Sequence, residues 1–238
     1  MSTLLLVRHG QASLFSDNYD RLSEQGVRQS ELLAESWLAE GIVPDRIWCG
    51  TLERQQRSAE AAGAVFAAAG APWPRVEVDE HFNEYPAEEL LPRILDALRD
   101  SHPELAVIAA DYQSADSDEA RYRHFHRLLE AVMAHWVAGN AELPSAMTWP
   151  AFSERVRTAI RRVMRATGRG RTAAVFTSGG PIGVSVQSAL QAPDIKAMEL
   201  NWRIHNGSVT RYTFSGDRVS LDRFNDTRHL PVGMLSYR

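Results

Sequence analysis

Cysteine is nearly absent, with Cys49 the only one in 238 residues. That excludes an internal disulfide and leaves no thiolate cluster for a structural zinc, so Cys49 is expected to be buried and inert. An excess of positive charge is missing too. With 26 Lys and Arg against 30 Asp and Glu, the formal net charge is −4. This argues against nucleic acid or an anionic membrane surface as a partner, and any anion site must be local. Long apolar runs are also lacking. The N-terminal stretch Leu4-Leu5-Leu6-Val7 has no basic region before it and nothing later approaches a membrane span, so cytoplasmic residence is the expectation. What is present is 44% hydrophobic residues, enough for a substantial core in one large domain or two small ones.

Along the chain, apolar strands alternate with amphipathic helices. Thr3 to Val7 reads as a buried strand, and the polar stretch 11–22 as a loop over its end. Ser23 caps a helix that Gly41 closes, Pro44 to Cys49 is a second strand, and Leu52 to Ala69 is an alanine-rich helix ended by Pro72-Trp73-Pro74. Arg75 to Val78 is a third strand. From about Pro86 to Pro150 the strand signal vanishes and helical stripes replace it, Leu90-Leu91-Ile94-Leu95-Leu98 and Leu128-Leu129-Val132-Met133-Trp136. This segment is expected to be a helical cap inserted into a single domain over 1–238, with a mobile acidic loop from Asp111 to Glu119. A helix from Trp149 to Thr167, a strand from Thr172 to Thr177, a helix opened by Ser178-Gly179-Gly180-Pro181 and two closing strands, Ser208 to Phe214 and Arg218 to Phe224, complete the pattern. It predicts an α/β fold with a mostly parallel sheet.

The first strand stops at Arg8-His9-Gly10. A guanidinium and an imidazole at the carboxyl end of a buried strand stand where open α/β sheets build their sites. Arg8 can grip two phosphoryl oxygens, His9 can attack phosphorus, and glycine permits close backbone approach. Arg54 lies at the start of the next helix, so its charge and the helix's amides can act on one phosphate. Arg57 is expected to face solvent or a carboxylate. At Ser178, Gly179 and Gly180 the amides opening a later helix are also free to receive an anion.

With Arg8-His9-Gly10 and then Thr51-Leu52-x-Arg54-x-x-x-Ser58-Ala59, the chain resembles the histidine phosphatase superfamily, which includes the cofactor-dependent phosphoglycerate mutases. Phe82-Asn83-Glu84, Asn206-Gly207-Ser208-Val209-Thr210 and Asn225-Asp226-Thr227-x-His229-Leu230 support the resemblance. It implies a three-layer α/β/α core, a phosphohistidine intermediate on His9, phosphoryl oxygens held by Arg8 and Arg54, and Glu84 as proton donor to the leaving oxygen. Two arginines and one histidine can meet the charge of phosphoryl transfer without a metal, so neither a metal nor a cofactor is expected.

The pattern breaks in three places. Where the family carries a second histidine, in a motif like Ser-His-Gly-Gly, this chain has Thr177-Ser178-Gly179-Gly180, so Ser178 replaces an imidazole. His205, His229 and His81 are positional candidates to compensate. His124, His126 and His135 share no helical face and are not read as a metal site. After Glu84 the insertion of the mutases is not found, which favours a phosphatase. After His9 the loop reads Gln11-Ala12-Ser13, leaving Ser13, Ser16 and Asn18 as alternative phosphate contacts. The sequence therefore points to a phosphatase for a small phosphorylated substrate. The alternative is a phosphate-ligand binding or regulatory protein that keeps the pocket and has lost useful turnover. A mutase is the third reading, and oligomeric state is not legible.

Overall fold

The computed structural model describes residues 1–12 and 20–237, so Ser13, Ser16 and Asn18 lie outside the described residues. The chain divides into two compact units, Met1–Glu84 with Val156–Arg238, and Tyr85–Arg155.

The first unit is built on a six-stranded sheet: β1 (Ser2–Arg8), β2 (Arg46–Cys49), β3 (Val76–Val78), β4 (Thr172–Thr177), β5 (Val209–Ser215) and β6 (Arg218–Asp226). The order is β3-β2-β4-β1-β5-β6. β3, β2, β4 and β1 run parallel, while β5 and β6 are antiparallel additions at one side. Because side chains alternate along a strand, β1 feeds two cores. Leu5 and Val7 pack with Leu33, Ala34 and Trp37 of α1 (Glu24–Ala39) and with Ala59, Ala62 and Phe66 of α2 (Glu53–Ala68). Leu4 and Leu6 pack with Ala159 and Val163 of α6 (Trp149–Thr167) and with Ile182 and Val186 of α7 (Gly179–Leu190). Helices therefore cover both faces of the sheet, the layering that parallel strands require. Cys49 is buried in the first core, and that burial, with the charge of Glu60 adding to it, pushes its thiol up to about 11.

Register brings the site together. Arg8 pairs with Thr177 across β1 and β4, and Cys49 with Phe176 across β2 and β4. The carboxyl ends of three parallel strands thus finish side by side, leading into His9, Gly50 and Ser178. Ser23 caps α1 by accepting from the Gly26 amide at 3.0 Å. Pro181, expected to open α7, is its third residue instead. It costs nothing there, because the first helical N–H groups have no partner within the helix. A helix absent from the sequence reading, α8 (Ile195–Asn201), follows α7.

The second unit holds α3 (Ala87–Ala97), α4 (Pro103–Gln113) and α5 (Asp118–Ala138). Tyr85, Trp136, Trp149 and Phe152 form its aromatic centre, with ring centroids 5.3–5.8 Å apart, and the Trp136 indole donates to the Met147 carbonyl at 2.8 Å. The loop expected from Asp111 to Glu119 is a shorter link, because α4 continues to Gln113 and Ser117 already caps α5. α4 was not legible because only Leu105 of it is buried, so it lacks an apolar stripe. No helix among the described residues is long and apolar enough to cross a membrane.

Candidate active site

His9 is buried at the end of β1, its backbone N–H bonded to the Thr177 carbonyl at 2.9 Å. Its ring is held by two partners of fixed polarity. Nδ1 lies 2.7 Å from the Gly10 carbonyl, which can only accept, and Arg54 Nε, which can only donate, lies 3.2 Å from Nε2. Nδ1 therefore carries the proton and Nε2 the lone pair. That is the tautomer a nucleophilic imidazole needs.

Gly10 also meets a steric requirement within the chain. A Cβ there would lie 2.1 Å from the Gly26 carbonyl oxygen, so only glycine lets α1 start against the turn. The Gly10 amide donates to Ser58 Oγ at 3.0 Å, and Ser58 in turn donates to the Arg54 carbonyl at 2.7 Å. The serine four residues after Arg54 thus joins α2 to the His9 turn.

Arg54 is a buried cation with an internal partner. Its Nη1 donates to Asp20 Oδ1 at 2.6 Å, while Asp20 Oδ2 accepts from the Glu53 amide at 2.7 Å. One carboxylate therefore takes both the guanidinium and the N-terminus of α2, the pairing expected for phosphate. The same holds at α7, where both Glu84 oxygens lie 3.1 Å from the Gly180 amide. The two helix starts expected to face an anion are each engaged by a carboxylate of the chain itself.

Ser178 is fully buried. Its Oγ accepts from Gln55 Nε2 at 2.8 Å, and the same amide nitrogen donates to the Phe82 carbonyl at 3.0 Å. Phe82 offers only an acceptor there, so the orientation of the Gln55 amide is determined and its Oε1 remains buried without a hydrogen-bond partner among the described residues. Because Gln55 donates, Ser178 keeps its own O–H to give. Beside it, a Cβ on Gly179 would lie 2.1 Å from Asn201 Oδ1. Gln55 and Asp20 were both missed in the sequence, since each acts on a residue distant along the chain.

The later motifs act as scaffold. Arg8 donates through Nη1 to the Ile204 carbonyl and is buried. Gly207, at φ 71°, donates its amide to the Arg8 and His9 carbonyls at 3.1 and 3.2 Å, and Asn206 Nδ2 donates to the His9 carbonyl at 3.3 Å. Asn225 accepts from the His205 amide and donates to the Arg203 carbonyl, both at 2.8 Å. It thereby pins the loop that Arg8 grips. Asn83 clasps Thr51 through two bonds of 2.7 Å, at the turn into α2.

Of the other candidates, Arg57 pairs with Glu60 at 2.9 Å on an exposed surface, as expected. His229 lies 3.0 Å from the Gly207 carbonyl through Nε2, and burial holds its imidazole below the ordinary value. His205 contacts Asn225 through Nδ1 and stacks on Tyr237. Burial lowers it, the Asn225 amide opposing and the nearby Arg8 charge assisting. His81 pairs with Asp79 at 2.8 Å. His135 does not meet His124 and His126 but approaches His102 and Glu104.

The family model of the histidine phosphatase superfamily (branch 1) matches residues 4–138 and 116–227. No curated protein sequence matches the chain. Among solved structures, a mutant phosphoserine phosphatase of Entamoeba histolytica in complex with phosphoserine is similar over 97% of this chain and 100% of its own, at 17% identity and a TM-score of 0.62. Phosphoglycerate mutase from Bacillus anthracis str. Sterne covers 96% of this chain and 94% of its own, at 15% identity and a TM-score of 0.62. The alpha-ribazole phosphatase of Shigella flexneri covers 94% and 96%, at 18% identity and a TM-score of 0.54. At such identities these likenesses concern the fold.

Proposed function

The chain belongs to the histidine phosphatase superfamily (branch 1), and on that premise we propose that it hydrolyses a small phosphomonoester through a phosphohistidine on His9. The observation that carries this reading is the His9 ring itself, with Nδ1–H given to Gly10 and the Nε2 lone pair directed at Arg54. When a phosphoryl group arrives, Arg54 turns its donors to the phosphoryl oxygens and releases that lone pair. Nε2 then bonds to phosphorus, the ester P–O bond breaks, and Glu84 in its acid form gives its proton to the leaving oxygen. Water next attacks the phosphohistidine, Glu84 takes its proton, the N–P bond breaks and inorganic phosphate departs. Arg8 and Arg54 meet the charge spread over the equatorial oxygens, so this scheme calls on no metal ion.

A panel of phosphomonoesters assayed with wild type and His9→Ala tests the proposal. Hydrolysis of at least one ester, abolished in a folded His9→Ala, is the expected result. Equal turnover by the two proteins contradicts it.

A second reading is favoured by Ser178. A chain that binds a phosphorylated ligand without useful turnover needs the arginines but no second imidazole, and here the serine is engaged by Gln55. The presence of both His9 and Glu84 supports the enzyme instead, since a binding protein needs neither a nucleophile nor an acid. Absence of hydrolysis over the whole panel, together with phosphate binding that depends on Arg8 and Arg54, selects the binding reading.

A further inference from the structure

We infer that His102, Glu104 and His135 form a site for one divalent transition-metal ion of the zinc type, a staple across the α4–α5 hairpin of the second unit. His102 stands immediately before α4 and Glu104 in its first turn. The start of the helix carries both side chains to one place, with His102 Nδ1 3.0 Å from Glu104 Oε1. α4 and α5 pack against each other, and the last turn of α5 comes close to the residues that open α4. His135 belongs to that turn, and its ring centroid lies 4.3 Å from that of His102. One ligand atom from each of the three residues lies within 4.8 Å of the others. In a tetrahedral zinc site, bonds of about 2.0–2.1 Å set neighbouring ligand atoms about 3.3 Å apart.

The surroundings of His135 fit a metal ligand. Its Nδ1 lies 2.9 Å from the amide group of Asn140, placed with Nδ2 towards the ring. An amide can present either its oxygen or its nitrogen at such a distance, and with the oxygen towards the ring it accepts the Nδ1 proton. Nε2 is then the ring atom left for the ion, and Asn140 is the outer partner that fixes a ligating imidazole. Two imidazoles and one carboxylate suit zinc and its neighbours rather than magnesium or calcium, which take oxygen ligands. Three protein ligands leave a fourth position for water. Arg8, His9, Arg54 and Glu84 all belong to the other unit. The inference is therefore independent of the proposed phosphatase reaction.

The test is calorimetric titration of the metal-free full-length protein with zinc(II), repeated with cobalt(II) to read the absorption of a tetrahedral site. Wild type is expected to bind one ion per chain at these residues, and a His102→Ala/His135→Ala double variant to lack that ion. Each single histidine variant should weaken binding at least about tenfold, as ligand-shell losses do. Zinc should raise the melting temperature of wild type and not that of the double variant. Glu104→Gln keeps the side-chain shape while removing the carboxylate. It provides a second reading if the double variant fails to fold, and it should weaken binding similarly. Equal affinity and stoichiometry in wild type and these variants, or no uptake by wild type, overturns the inference.

Discussion

His9, the proposed nucleophile, has little freedom: Gly10 and Arg54 together determine which of its ring nitrogens carries the proton. Ser178 is constrained as closely. On the proposed reading, in which Ser178 stands where the family carries a second histidine, a histidine introduced there would add a transition-state donor worth about 10²-fold in rate. The Gln55 amide, however, packs on the serine hydroxyl at 2.8 Å, and an imidazole introduced there meets it. Ser178→His alone is therefore expected to gain little or to destabilise the fold by overpacking. Ser178→His combined with Gln55→Ala should gain, approaching 10²-fold on an activated substrate. Rates for the two single variants and the double variant form a cycle that isolates this coupling. Additive effects would mean that Gln55 does not shape the serine's environment.

Among the elements, α2 carries the most unexpected feature. Its N-terminus receives Asp20, whose carboxylate accepts from the Glu53 amide and pairs with Arg54. A capping carboxylate lost to alanine typically costs about 0.5–2 kcal/mol. Asp20→Ala should accordingly lower the melting temperature. Phosphate can then occupy the vacated helix start, so the rise in melting temperature on adding phosphate should be larger than in wild type. A phosphate response unchanged or diminished in Asp20→Ala would show that Asp20 positions Arg54 for the anion rather than competing with it.

Elements that present a regular pattern to one environment were the legible ones. β1 and β4 are continuous apolar runs because both their faces are covered, and α6 has a clear apolar stripe, so these read directly from the chain. α4 buries little, and the short α8 follows α7 without its own periodic signal. Arg8, His9, Arg54, Ser58 and Glu84 were visible as motifs. Gln55 and Asp20 were not, because their partners Ser178 and Arg54 lie far along the chain or across a loop, where periodicity carries no information. The close approach of Gly26 to Gly10 was not legible either, since it too joins residues across a loop.

For the whole molecule, stability should follow the half-buried imidazole that contacts Gly207 beside the His9 turn. His229, against the Gly207 carbonyl, is held below its ordinary value of 6.5 by burial. Between that lowered value and 6.5 the unfolded chain binds more protons than the folded one, so stability is fully present above pH 6.5 and falls as the pH drops below it. His205, lowered in the same direction by burial, adds to the effect. Denaturant unfolding across this range should show the decline, and His229→Gln, which can still donate to Gly207, should flatten it. An identical slope in the variant would remove His229 from this role.

The proposed reaction turns on one atom, Nε2 of His9. The most direct measurement is rapid-quench labelling with a phosphomonoester that the protein turns over, followed by identification of the phosphorylated residue. The account predicts an acid-labile, base-stable phosphoenzyme on His9, formed and consumed fast enough to carry turnover. Turnover without any phosphoenzyme, or a phosphate recovered on serine, would contradict it.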